Sequence, residues 1–314
     1  MSDYVIISDA TCDFTDAMCE RFDIPDLLHG ILYFPDGHSE PQDTNWKNIS
    51  AEDFYHSMRN KNVMYKTAAP PLGEITEVFE KHLSAGKDIL CINISTGLSS
   101  TYNDCMLVAK DLLEKYPERK ILCVDSLRYS TSLGLLVMNT ALQRKNGATL
   151  EEAYAYAEEE KTKIHQMGVM DDLFFLVKTG RISNFKAFFG SMVGLNLCAD
   201  INDKGMADVI AKFKGKRDAF KADIEYIKRT IVNPEEQIIF VAHSNRLEAA
   251  KTLADMIEKE VKPKEVIITE VCQGCGANIG PGLCAAFYKG EPVSTGLLKE
   301  REIMAEIEKE IKGK

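Results

Sequence analysis

The sequence predicts an α/β fold made of two α/β domains, the N-terminal one built around a parallel sheet. Short, nearly continuous apolar runs such as DILCINIS (88–95) and KILCVDS (120–126) each pass through a polar turn into an amphipathic stretch. That order builds a parallel sheet covered on both faces. The alternation returns in the second half, from MADVIAKF (206–213) through QIIFVAHS (237–244) to EVIITEV (265–271). At 314 residues the chain also exceeds what one hydrophobic core usually organises.

The elements follow in order. DYVIIS (3–8) reads as a buried strand and ends in DATCDFT, whose Asp and Thr residues suit a helix start. ILYFPDG (31–37) is a second strand closed by a Pro-Asp-Gly turn. Ser50, with Asp53 three residues on, resembles a capping box and opens a helix to about Met58. A helix over 73–85 places Ile75, Val78, Phe79 and Leu83 on one face. The strand at 88–95 feeds the turn TGLSS and a helix over about 99–115, and KILCVDS precedes a helix through LGLLVMNTALQRK. A charged helix from Leu150 leads to a junction near residue 160, giving domains 1–160 and 161–314. In the second half, helices over 217–230 and 246–258 separate the strands, AAFYKG (285–290) closes the sheet, and a charged amphipathic helix ends the chain. No tandem repeat or low-complexity linker separates the halves.

Composition narrows the function. A formal net charge of −10 disfavours nucleic acid, whose phosphates need a basic surface. MSDYVIISDA lacks the basic-then-apolar order of a secretory signal, and no apolar run approaches the roughly 18 residues of a membrane span. The expectation is a cytoplasmic protein without stable membrane insertion. Nine cysteines, scattered through apparent strands and helices, fit reduced buried thiols better than a disulfide framework. Cys272-Gln273-Gly274-Cys275 is a single C-x-x-C without a second pair or a nearby His, so no metal site and no cofactor is read from it.

Ligands of parallel sheets collect at the carboxyl ends of the strands, so Ser8-Asp9, Ser95–Ser100 and Asp125-Ser126 are expected to converge. ISTGLSSTY sets hydroxyls at Ser95, Thr96, Ser99, Ser100 and Thr101 around a helix start, as an anion seat or as plain capping by Ser99 or a neighbour. KTAAPPLGE (66–74) presents Thr67 ahead of a rigid Pro-Pro turn, or is a polar connector. VKTGRIS (177–183) offers Arg181 to a phosphate or a partner's carboxylate, or leaves it on the surface. GCGANIGPGL (274–283) reads as a glycine-rich turn with Asn278 in its middle and no basic residue. The phosphate-loop, dinucleotide, zinc-protease and nucleophile-elbow patterns are missing. Asp171-Asp172 reads as a solvated turn rather than a catalytic pair. An enzyme using Ser99 or the Cys272–Cys275 region as nucleophile has no general base placed by the sequence.

Taken together, the loops resemble the DegV family of bacterial fatty-acid-binding proteins, essentially end to end. SDATCDF looks like its T-D-S-T-x-D-L turn, KTAAPPLGE stands where it has T-S-Q-P-S-x-G-E, and ISTGLSSTYNDC is similar to S-S-x-L-S-G-T-Y-x-x-A. VDSLRYSTSLG resembles V-D-S followed by S-x-G-x-G, LVKTGRIS resembles L-x-K-G-G-R-I-S, and VAHSN and ANIGPG match A-H-x-N and A-H-x-G-P-G.

The resemblance implies one long-chain fatty acid buried in a tunnel near the junction of the two domains. Its carboxylate is held by Thr67 and Ser99, with Asn278 in the place of a family His and Ser95, Ser100, Ser126 and Gly280 on supporting loops. It further implies a non-catalytic role: a partner fatty acid kinase docks at the surface of Arg181 and uses ATP to make an acyl phosphate for phospholipid synthesis. Departures are Ala68 and Ala69 for Ser and Gln, Ser100 for Gly, Cys198-Ala199 for Lys-Pro, Lys214 for an Arg, and Asn278 for His. Asn278 donates a hydrogen bond but neither titrates near neutrality nor adds charge. A divergent relative that binds another amphiphile, or senses lipid without serving the kinase, is the alternative.

Overall fold

The computed structural model describes residues 3–183 and 195–313. Its first elements are β1 (Tyr4–Asp9), α1 (Asp16–Phe22), β2 (Leu27–Leu28), β3 (Ile31–Tyr33), β4 (Ser39–Pro41), α2 (Ala51–Met58) and β5 (Lys66–Ala68). Next come α3 (Leu72–Ser84), β6 (Asp88–Asn93), α4 (Thr101–Lys115), β7 (Ile121–Asp125), α5 (Thr131–Lys145) and α6 (Leu150–Glu160). Then follow β8 (Ile164–Met170), α7 (Phe174–Thr179), β9 (Asn196–Ile201), β10 (Ala207–Phe213), α8 (Lys216–Thr230) and β11 (Ile238–His243). The last are α9 (Leu247–Glu260), β12 (Glu265–Glu270), α10 (Gln273–Ile279), β13 (Leu283–Lys289) and α11 (Leu298–Lys312).

The chain divides into two compact units that interleave in sequence. One is Met1–Asn48 with Met64–Lys161 and Cys272–Cys275; the other is Ile49–Val63 with Thr162–Val271 and Gly276–Lys314. Contiguous spans of 1–160 and 161–314 therefore exchange two short segments. The first exchange has a local cause. Ser50 caps α2 by accepting the Asp53 amide at 3.0 Å, and the fully buried Tyr55 donates its hydroxyl to the Val271 carbonyl at 2.6 Å.

In the first unit a parallel sheet runs β2-β1-β6-β7. Val5 and Ile7, Ile89 and Cys91, and Ile121 and Cys123 pack with Ile75, Phe79 and Leu83 of α3 and Val108 and Leu112 of α4. The alternating residues Ile6, Leu90 and Val124 are fully buried as well, and α5 and α6 pack on β6. Covering on both faces is why these strands are apolar throughout. A small antiparallel sheet, β4-β3-β5, sets Thr67 opposite Leu32.

The second unit holds a six-stranded sheet in the order β10-β9-β8-β13-β11-β12, antiparallel except for the pair β11 and β12. Phe220, Ile224 and Ile227 of α8, Leu253 and Ile257 of α9, and Met304 and Ile307 of α11 pack on it. Strands β8 and β9 are absent from the sequence reading, because IHQMGVM and NLCADI carry polar residues that alternation treats as surface. Those residues are buried in pairs. His165 Nδ1 lies 2.8 Å from Asp200 Oδ2 and its Nε2 lies 2.8 Å from the Glu291 carbonyl oxygen. Both ring nitrogens face acceptors, so the ring carries both protons and forms a buried ion pair with Asp200. The Tyr226 hydroxyl and the Gln166 amide also donate to Asp200, each at 2.9 Å. Burial alone would raise the Asp200 carboxyl, but the His165 charge and these donors outweigh it and hold it below its ordinary range.

Asp223, on α8 in the same core, has the opposite environment. It is fully buried, and among the described residues neither carboxyl oxygen meets a hydrogen-bond donor in normal geometry. Burial pushes its pKa up to about 7, opposed only by the nearby Cys198 thiol.

Residues 273–279 form a helix, α10, where the glycine-rich sequence reads as a turn. The glycines serve close approach: a Cβ on Gly274 would run into Gln42 and Thr11, and one on Gly276 into the Tyr55 hydroxyl. Turn geometry starts only at Gly280 and Gly282, where φ is +78° and +110°. Gly276→Ala tests this packing. Helix propensity favours Ala by about 1 kcal/mol, whereas crowding a fixed Tyr55 costs about 1–3 kcal/mol plus its hydrogen bond to Val271. A net loss of about 1–2 kcal/mol is expected in urea denaturation, and a gain would show that Tyr55 yields.

Candidate functional site

The carboxyl end of the first unit's parallel sheet gathers the loops expected there. The Ile94 amide donates to Asp9 Oδ2 at 2.8 Å, and Thr96 donates its amide and hydroxyl to Asp125 at 3.1 and 2.6 Å. Ser95 and Ser126 are fully buried. The Ser95 amide donates to the Arg128 carbonyl at 2.8 Å, and the Ser126 hydroxyl spans the Arg128 backbone, donating to its carbonyl and accepting its amide at 3.0 Å each. Three loops are thus tied into one rim.

Ser99 is not the cap of α4. Its hydroxyl lies 2.8 Å from the Thr101 hydroxyl and accepts the Thr101 amide at 3.4 Å. Ser100 occupies the cap position, but turns its hydroxyl away to donate to Asp104 at 2.7 Å. The first turn of α4 thus starts without the side-chain cap expected from Ser99 or a neighbour, next to the half-buried Ser99.

The remaining expected residues lie on other elements. Thr67 is half-buried on β5, in the small sheet of the same unit. Asn278 is half-buried on α10, and Gly280 is buried against Phe175; both belong to the second unit. Arg181 follows the left-handed cap Gly180 of α7, donates its amide to the Leu176 carbonyl at 2.9 Å and its guanidinium to the Thr179 carbonyl.

One residue escaped the sequence reading. Arg128, in the loop after β7, is fully buried and donates to the Leu127 carbonyl at 2.6 Å. Its only sequence signal is a lone Arg in SLRYS between a strand and an apolar helix. It brings a buried positive charge to the loop that places Ser126.

The nucleophile alternative loses ground. Cys272 and Cys275 are buried and donate to the carbonyls of Ala10 and Thr11 at 3.2 and 3.7 Å. The Cys272 thiol is pushed well up, first by its neighbour Cys275 and then by burial, so it stays protonated and inert. The Ser99 hydroxyl pairs with Thr101 rather than with a base. Among the described residues, no group of three or more His, Cys, Asp or Glu side chains is placed to hold a metal ion, and no helix is long and apolar enough to cross a membrane.

The model of the DegV family, described as a family of uncharacterised proteins, matches residues 3–291. The chain belongs to the DegV family. A DegV domain-containing protein of Clostridium perfringens is 33% identical over 291 residues, covering 93% of this chain and 99% of the relative. A solved DegV lipid-binding protein of Thermotoga maritima superposes with a TM-score of 0.80 at 22% identity, over 92% of this chain and 99% of that one. DegV of Bacillus subtilis, described as a fatty acid binding protein, gives a TM-score of 0.77 at 21% identity, over 93% and 100%. These likenesses establish the DegV fold, in which a parallel-strand sheet is accompanied by further sheets.

Proposed function

We propose that this chain binds one long-chain fatty acid and presents its carboxylate to an ATP-dependent fatty acid kinase, without catalysing a reaction itself. The rim at the carboxyl end of the parallel sheet carries the reading. It combines an uncapped helix start, the hydroxyl of Ser99 and the buried charge of Arg128, the features that hold a carboxylate. Fatty acid binding by the DegV protein of Bacillus subtilis supports the choice of ligand. Thr67 and Ser99 hold the carboxylate, and Asn278 adds an amide donor. The acyl tail supplies most of the affinity, at roughly 0.8 kcal/mol per buried methylene before ordering costs. Arg181 is the docking residue for the kinase, which supplies the nucleotide site that this sequence lacks.

Organic extraction of the purified protein, followed by mass spectrometry, is expected to return about one long-chain fatty acid per chain. Recovering none, with none bound on addition, overturns the reading. Replacing both donors, Thr67→Val with Ser99→Ala, is expected to weaken binding to delipidated protein by about 10²–10⁴-fold, because each hydrogen bond to a carboxylate is worth about 1.5–3 kcal/mol. Titration calorimetry measures it, and unchanged affinity removes the two residues from the site. Asn278 in place of His favours a second reading, lipid binding without kinase service. Acyl-phosphate formation with a cognate kinase and ATP decides between them, and its loss in Arg181→Ala tests the docking surface.

A further inference from the structure

The six-stranded sheet of the second unit has two edges, and they are built differently. At β10 the ladder shifts register between Val209 and Ala211, Arg301 donates to the Val209 carbonyl at 2.8 Å, and Ile182 bridges to Ala207. An irregular, covered edge of this kind resists another strand. At β12 the register to β11 is unbroken from Glu265 to Glu270, and the strand holds no bulge, proline or lysine. Its middle, Val266-Ile267-Ile268, is apolar and half-buried, whereas Ile239, Phe240 and Val241 beside it on β11 are fully buried.

The bonds of β12 show which residues face outward. The Glu265 and Val271 amides donate to the carbonyls of Gln237 and His243, on the β11 side, at 3.4 and 2.9 Å. Backbone groups alternate in direction along a strand. Those of Val266, Ile268 and Glu270 therefore point away from β11, and among the described residues they bond to no other element. The side chains of Val266 and Ile268 lean on the core beneath α9 but lack a neighbour on the open side.

We propose that β12 is the interface of a homodimer, pairing antiparallel with β12 of a second copy across a two-fold axis at Ile267. Charge complementarity selects this partner and this register. The row Lys264, Val266, Ile268, Glu270 meets Glu270, Ile268, Val266, Lys264 of the second copy, so both ends match opposite charges and the centre is apolar. Lys264 is exposed and makes no ion pair among the described residues, and Glu270 uses only Oε1, for the Asn245 amide at 2.9 Å. On the other face Ile267 meets its own copy and Glu265 meets Thr269. A slip of two residues would set Lys264 against Ile268, or Val266 against Glu270. Parallel pairing in register would set each glutamate against itself. Val266 and Ile268, both outward, exchange amide-to-carbonyl bonds across the axis.

Sedimentation equilibrium of the full chain is expected to show a concentration-dependent dimer. Lys264→Glu is expected to weaken it about tenfold, because the axis turns two attractive pairs into two repulsive ones. Lys262→Glu makes the same charge change outside the matched row and is expected to leave the affinity unchanged. Both lysines are exposed, so an unchanged urea midpoint confirms that each variant is folded. Ile267→Cys tests the axis directly. A non-hydrogen-bonded antiparallel pair sets its Cα atoms about 4.5 Å apart, within the reach of a disulfide. Mild oxidation of that variant is therefore expected to link two chains, while the wild type, whose cysteines are buried except for the half-buried Cys19, stays unlinked. A monomer at every concentration leaves the edge to a different chain and overturns the proposal. So does a dimer that Lys264→Glu does not weaken, that Lys262→Glu weakens equally, or that Ile267→Cys does not link.

Discussion

Asp200→Asn is expected to lower stability by about 3–5 kcal/mol at pH 7, the range seen when one partner of a buried ion pair is removed. The variant takes the Asp200 carboxylate away from the His165 ring, whose two nitrogens both face acceptors inside a core where its side chain is 2% exposed. The Tyr226 hydroxyl and the Gln166 amide lose a carboxylate acceptor at the same time. The sign with pH follows from the depressed Asp200 carboxyl. Its contribution is complete above its unfolded pKa of about 3.9 and disappears as pH falls through the lower folded value. Urea denaturation at pH 7 and pH 3 measures both effects: the gap between wild type and variant should narrow at the lower pH. A loss below about 1 kcal/mol at pH 7 would falsify the ion pair.

Asp223→Asn should behave in the opposite sense. The folded state keeps a proton on Asp223 up to about pH 7, whereas the unfolded chain releases it near pH 4. Stability therefore falls across that interval, and at about 1.36 kcal/mol per pH unit the loss amounts to roughly 4 kcal/mol. An amide of the same shape does not titrate. Relative to wild type, the variant should gain roughly 3 kcal/mol between pH 4.5 and pH 8, whatever constant offset the amide introduces. Parallel stability curves for the two proteins would show that Asp223 reaches solvent or a cation. The motif that LNLCADI resembles has lysine where this chain has Cys198. An ammonium group there would be a counter-ion for Asp223, and a thiol is not.

Legibility in the sequence followed the distance over which each feature is determined. The parallel sheet and its helices were readable because every strand there is apolar and each crossover is local. The convergence of Ser95, Asp125 and Ser126 was readable too, since parallel topology alone brings those strand ends together. Strands β8 and β9 were not, because His165 and Asp200 are buried only by virtue of one another, 35 residues apart. Helix α10 was not, because its glycines answer to Gln42 and Tyr55 rather than to a turn. Arg128 looks like any charged loop residue until the rim closes over it. In each case tertiary contact overrode a sound local rule.

The segment Cys272–Cys275 has a consequence for the order of events during synthesis. Asp13, fully buried in the first unit, accepts the Cys272 amide at 2.8 Å across a separation of 259 residues, together with the hydroxyls of Ser130 and Thr131. A ribosome releases the N-terminal residues long before that amide exists, so until then Asp13 lacks this donor. Sequential, domain-by-domain folding is the general habit of two-unit chains, and this chain departs from it. Asp13 therefore gains its full set of donors only after nearly all of the second unit has been made.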